Sequence, residues 1–107
     1  MTVGGDPADD LRRAHLMRSE IGPLNQLMMD ANHKWDVVKA IHRTQELAEV
    51  DPWWMKEPTR LDDILGHARI RREVAPVRIA TGEHCHNRVM FEQFIDVVQI
   101  DSCRLRE

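Results

Sequence analysis

Tyrosine is absent from this chain of 107 residues, and phenylalanine and cysteine occur only twice each. So few aromatic rings leave little material for an aromatic recognition surface. Cys85 and Cys103 are too few for a disulfide scaffold and suit a reduced, cytoplasmic chain. No apolar run approaches the roughly 20 residues of a membrane span. The opening MTVGGDPADD lacks the basic-then-apolar order of a secretory signal. Positive charge is not in excess either. A formal net charge of -3 offers no field to hold nucleic acid or an anionic membrane. What remains is one small domain, 42% hydrophobic and 31% charged, with a core just large enough to stand alone.

The patterning that is present alternates between two periods. DPADDLRRAHLMRSEIGP predicts a helix, with Asp6 as cap, Pro7 in the first turn, and Asp9 and Asp10 at the positive end. Leu11, Ala14, Met17 and Ile21 fall on one face, and Gly22-Pro23 stops it. LNQLMMDAN is a short apolar run between breakers and reads as a buried strand ending at Asp30. WDVVKAIHRTQELAEV predicts a second helix, capped by Asp36, with Val37, Ile41, Thr44 and Ala48 on one face. PWWMKEP is the next strand. RLDDILGHARIRREV is the next helix, with Ile64, Ala68 and an Arg71 or Arg72 stem along one side, and with Gly66 weakening it. PVRIATGEH predicts a strand, HNRVMFEQF a short helix and IDVVQIDS a strand. Strands alternating with helices imply an α/β fold built on a parallel sheet.

Each predicted strand closes on an acid: Asp30, Glu57 or its neighbour, Glu83 and Asp101. In parallel α/β folds functional residues gather at the carboxyl ends of strands. Acids converging there, without Cys or His at tetrahedral spacing, suit a hard cation such as Mg²⁺. Strand ends that simply meet solvent give the same pattern.

Five segments carry a resemblance. LMMDAN, WWMKEPT, DDILGH, IATGEHCHNRVMF and VVQIDSCRL, in this order, resemble the enolase superfamily in its mandelate racemase-like branch. The likeness is nearest to the L-fuconate dehydratase group and extends from about Val3 to Leu105. It implies a TIM-type (β/α) barrel beside a separate capping domain. Three acids at successive strand ends hold Mg²⁺, which binds a sugar-acid carboxylate and stabilises the enediolate formed when a base removes the α-proton. Loss of water then gives a 2-keto-3-deoxy acid. By this resemblance Asp30 is the first metal ligand and Glu83 the third. Asn32 lines the substrate site, and Asp101 orients a catalytic histidine. The second ligand departs from the pattern: the family has Glu-Glu-Pro and uses the first glutamate, whereas this chain has Lys56 there, followed by Glu57 as a stand-in.

The resemblance also sets expectations about extent. The family's Lys-x-Lys pair falls just before Val3, and its catalytic histidine beyond Glu107. Residues 1–107 are then a fragment of the C-terminal barrel domain, without the cap and the remaining strands, and this chain alone is expected to be inactive: a dehydratase by ancestry, or a non-catalytic remnant or interaction fragment. The family has further residues where Phe94 here runs directly into Ile95, so the last strand pairs out of place or the last helix shortens. About four parallel strands cannot close a barrel. They leave open edges, and an inner face expected to expose Met28, Val77 and Ile79 and to invite self-association.

Other features read as structural. EHCH, Glu83 to His86, is a weak zinc pattern, because neighbouring strand side chains point apart. Trp53 and Trp54 are expected in the core. His15, His42 and His67 are expected at surfaces or interfaces. His33, next to Asn32, keeps a place near the site.

Overall fold

In the computed structural model, residues 1–60, 62–85 and 102–105 are described, those from 82 onward as backbone. Helix α1 spans Pro7–Ile21, strand β1 Met28–Asp30 and helix α2 Val37–Leu47, which runs into a 3-10 turn over Ala48–Val50. Strand β2 spans Trp54–Lys56, α3 Ile64–Val74, β3 Arg78–Cys85 and β4 Ser102–Leu105. The sheet order is β1-β2-β3-β4, every neighbouring pair is parallel, and the sheet is open. Among the described residues no helix is long and apolar enough to cross a membrane.

The helices begin where their capping chemistry dictates. The Asp6 carboxylate accepts from the Asp9 N–H, Asp36 from Lys39 and Asp63 from Gly66. Gly22 ends α1 with a φ of 79°, a backbone conformation that glycine adopts without a Cβ clash. The strands are shorter than the apolar runs that announce them: β1 takes up only the last three residues of LNQLMMD.

Register fixes the two faces of the sheet. Met29, Met55 and Ile79 pair side by side. All three are buried and form one core with Ala14, Ala40, Leu47, Ile70 and Val74 from the helices. The alternate rows, Met28–Trp54–Arg78 and Asp30–Lys56–Ala80, look the other way. Met28 is exposed there, as expected, but Val77 and Ile79 are not: both are buried in the helix-packed core. Met28 pairs with Trp54 and through it with Arg78, so Ile79 has the opposite parity, which spacing along one strand cannot reveal.

Three helix faces are rotated from expectation. In α1 Met17 is exposed, and Asp10 is buried instead, accepting from the Gly4 N–H at 2.9 Å and from Arg13 at 2.8 Å. Ala40, Thr44 and Leu47 are the buried residues of α2, and Gly66, His67, Ile70 and Val74 those of α3. His67, expected at a surface, is fully buried. Gly66 is required by close approach: a Cβ there would come within 2.7 Å of Val37 Cγ2 and collide with the capping Asp63 carboxylate. Trp53 and Trp54 also depart from expectation. Their rings are 5.2 Å apart and only half-buried, with the Arg78 guanidinium 4.9 Å from the Trp53 ring centre, and Trp35 is the buried tryptophan.

Two features tie the outer parts down. Arg18 donates to the carbonyls of Gly22, Asn25, Val50 and Asp51, joining α1 to the turn before β2. Residues 1–3 run along the outer edge of β1: Val3 N–H donates to Asp30 O and Asp30 N–H to Met1 O, both at 2.9 Å. That edge, expected to be open, is therefore paired.

The expected helix HNRVMFEQF and residues 95–101 of the expected last strand lie outside the described residues. Ser102 is the only residue of IDVVQIDS within β4. It pairs with Ala80 rather than beside Glu83, and the β3–β4 register shifts between Thr81 and Cys85.

Burial pushes the His67 imidazole below its ordinary value of 6.5, against the opposing pull of the Asp63 carbonyl. The folded form thus takes up this proton less readily than the unfolded chain. The associated stability is complete above pH 6.5 and is lost as pH falls through the depressed folded value. Urea unfolding across that range is expected to show a flatter acid-side decline for His67→Gln than for the natural chain. Gly66→Ala is expected to destabilise by about 1–3 kcal/mol through overpacking at Val37, read from the same titrations.

Candidate functional site

The carboxyl ends of β1 and β2 lie side by side, level with Ala80 early in β3, so the residues that close these two strands share one rim. Asp30, Lys56 and Ala80 are register partners on one row. The Asp30 carboxylate has two engagements. Oδ1 accepts the Asn32 N–H at 2.9 Å, and Oδ2 lies 4.0 Å from Lys56 Nζ. Both side chains are about a third exposed or less, so the pair itself contributes no more than ~1 kcal/mol to stability. Its importance is the sign of the charge that it places on the rim.

Glu57 points to the other side. Its carboxylate is fully buried; Oε2 accepts the Thr81 hydroxyl at 2.9 Å and lies 3.3 Å from His33 Nε2. Thr81 follows Ala80, so as Lys56 lies level with Ala80 on one row, Glu57, one residue on, meets Thr81 on the other side. The backbone of Glu57 is left-handed, with a φ of 51°, and its N–H donates to Ala80 O at 2.9 Å. A left-handed non-glycine residue costs roughly 1–3 kcal/mol and persists only where its surroundings hold it.

The loop after β1 is fitted to this corner. Asn32 and His33 both have positive φ, 51° and 63°. The His33 N–H donates to Glu57 O at 2.8 Å, and its Nδ1 donates to Thr59 O at 2.8 Å, because a carbonyl can only accept. The Thr59 hydroxyl donates to Trp35 O at 2.8 Å, extending the chain of bonds into the base of α2. Asn32 itself is exposed at the rim.

Of the residues expected to form the site, the structure brings Asp30, Asn32 and Lys56 together. Glu57 is built into the corner behind them. Backbone alone is described for Glu83, on β3 within the stretch where the register shifts, and Asp101 lies outside the described residues. The EHCH side chains are likewise outside them. The Glu57–His33–Thr81 cluster was not read from the sequence. Its one signal was Glu-Pro at a strand end beside Asn-His at another, and neither reveals burial.

A divalent cation does not fit the described residues. Among them no group of three or more His, Cys, Asp or Glu side chains could hold a metal. The position that the resemblance gives to the second ligand carries an ammonium. Unit charges ~4 Å apart at an effective dielectric near 20 interact by roughly 4 kcal/mol, and a divalent ion doubles that repulsion.

Comparison with known proteins gives the following. The pattern of the family "Enolase C-terminal domain-like" matches residues 1–106. Mitochondrial enolase superfamily member 1 of Xenopus laevis is 56% identical over 96% of this chain and 25% of its own length. L-galactonate dehydratase of Hypocrea jecorina is 46% identical, again over 96% of this chain and 25% of its own. A racemase from Streptomyces coelicolor A3(2), crystallised with bound magnesium, superposes with a TM-score of 0.89 at 39% identity, over 94% of this chain and 30% of that one. The chain spans about a quarter of the length of the curated relatives it matches.

Removing the Glu57 carboxylate strands the buried Thr81 hydroxyl and leaves a gap beside the His33 ring. Glu57→Ala is expected to cost about 3 kcal/mol or more, and Glu57→Gln, which keeps the shape and an acceptor, about 1–2 kcal/mol. Denaturant midpoints at fixed m-value check the order; equal losses in both variants would show that shape, not hydrogen bonding, holds the corner.

Proposed function

The chain belongs to the enolase C-terminal domain-like family, and on that premise we propose that residues 1–107 are a barrel-domain segment of a sugar-acid dehydratase of the L-fuconate type that does not itself turn over substrate. The sugar-acid class is supported by the relatives, which include an L-galactonate dehydratase, a 3,6-anhydro-α-L-galactonate cycloisomerase and an L-talarate/galactarate dehydratase. The lack of turnover rests on one observation: Lys56 Nζ stands 4.0 Å from Asp30 on the row where the reaction needs carboxylates.

In this reading Asp30 and Glu83 keep the places of the first and third metal ligands. Asn32 lines the rim where a sugar hydroxyl would lie, and Asp101 keeps the place of the acid that orients a histidine. Magnesium supplies the charge that stabilises an enediolate in such lyases. Because the rim described here does not fit that ion, no step is assigned through it. What this chain's own residues do is structural: Asn32 and His33 shape the loop after β1, and Glu57 holds the end of β2 against β3. Self-association belongs to the same reading, through the sheet face on which Met28 is exposed. A cytoplasmic setting is the sequence-based expectation, while several relatives carry a mitochondrial name.

Incubation of the purified chain with Mg²⁺ and L-fuconate, and in parallel with L-galactonate, is expected to give no 2-keto-3-deoxy acid above the protein-free control. Measurable product from either would end the non-catalytic reading.

A further inference from the structure

We propose that Lys56 is the resident cation of this strand end: its ammonium takes the place of a divalent ion beside Asp30 and makes the rim independent of metal. The inference rests on the barrel-segment reading above for the meaning of position 56, and on three observations of its own. First, register puts Asp30 and Lys56 on one row as direct partners, so their proximity follows from the ladder. Second, both Asp30 oxygens already face positive groups of the chain, the Asn32 N–H at 2.9 Å and the Lys56 ammonium at 4.0 Å. A Mg²⁺ at Asp30 Oδ2 would meet the repulsion of this ammonium, and that group is covalently tethered. Third, the neighbouring acid among the described side chains, Glu57, is committed elsewhere. Glu57 could approach Asp30 only by leaving the Thr81 hydroxyl, its buried site and the backbone bond to Ala80.

A divalent ion demands several oxygen ligands and gives up its water reluctantly. A lysine needs neither, and it is present at unit effective occupancy whatever the metal concentration. The exchange leaves the rim with one fixed positive charge where a metal site would carry a removable one.

Calorimetric titration of MgCl₂ into the full chain tests this. The natural chain is expected to show no saturable binding up to about 10 mM, and Lys56→Glu to bind at least roughly 100-fold more tightly. Lys56→Met, which removes the ammonium without adding a ligand, is expected to fall between them. Saturable binding by the natural chain near ~0.1 mM, or no gain in Lys56→Glu, overturns the proposal. Should Lys56→Glu fail to fold by circular dichroism, Mn²⁺ added to the natural chain decides instead. Amide signals of Asp30 to Asn32 that stay sharp at stoichiometric Mn²⁺ support the proposal, and selective broadening there refutes it. The two readings fail separately: turnover in EDTA would end the non-catalytic reading while supporting this one, and tight Mg²⁺ binding without turnover would do the reverse.

Discussion

A carboxylate taken fully out of water must be met by donors, or it opens whatever buries it. Glu57 is such a group, and the corner around it follows from meeting that demand. Thr81 on β3 supplies a hydroxyl to that carboxylate, the His33 ring on the loop after β1 packs 3.3 Å away with its Nδ1–H on Thr59 O, and the backbone at 57 turns left-handed. Three consecutive segments of the α/β pattern are thereby joined at one point: the end of β2, the middle of β3 and the entry to α2. Because strand side chains alternate, holding Glu57 inward commits Lys56 to the opposite row, level with Asp30. The charge on the rim is thus a consequence of the buried acid beside it.

How much of this was legible in the sequence depends on the range of the interaction responsible. Helix starts rest on contacts three residues away, and Asp6 and Asp36 cap the expected helices. The alternation of strand and helix, and with it the parallel sheet, rests on periodicity and was equally plain. Face assignments fared worse. Met17 and Ile79 were placed on the wrong sides, and His67 outside the core, because parity and helix rotation are set by partners distant in sequence. Gly66 read as a weakness, yet the space that it vacates lets α3 approach Val37. At the site, the pairing of Asp30 with residue 56 followed from two strand ends. The burial of Glu57 did not, since it requires Thr81 and His33 to be known as neighbours.

The sheet separates folding from chemistry in a way that bears on what this chain can do. Its core draws on one row, Met29, Met55 and Ile79, together with helix residues. The rim acid and lysine belong to the other row, where both are only partly covered. Burial on the first row supplies the hydrophobic stabilisation, on the order of 1.5–3 kcal/mol for each large side chain. The Asp30–Lys56 pair adds little by comparison. A change from acid to lysine at position 56 therefore alters the sign of charge at the rim while leaving the packed row untouched.

That asymmetry explains how 56% identity to a relative and a TM-score of 0.89 to a magnesium-bound racemase are compatible with an ammonium at position 56 of the rim. Identity and superposition sum over the many residues that pack. A metal site depends on the few that coordinate, and one reversed charge among them outweighs the rest at short range. The likeness thus establishes the family and the architecture. Residue 56 sets the sign of the charge beside Asp30. Lys56 stands at the rim while Glu57 is held in the interior, so moving the Glu57 carboxylate to the rim would unmake its bond to Thr81, which secures β2 to β3.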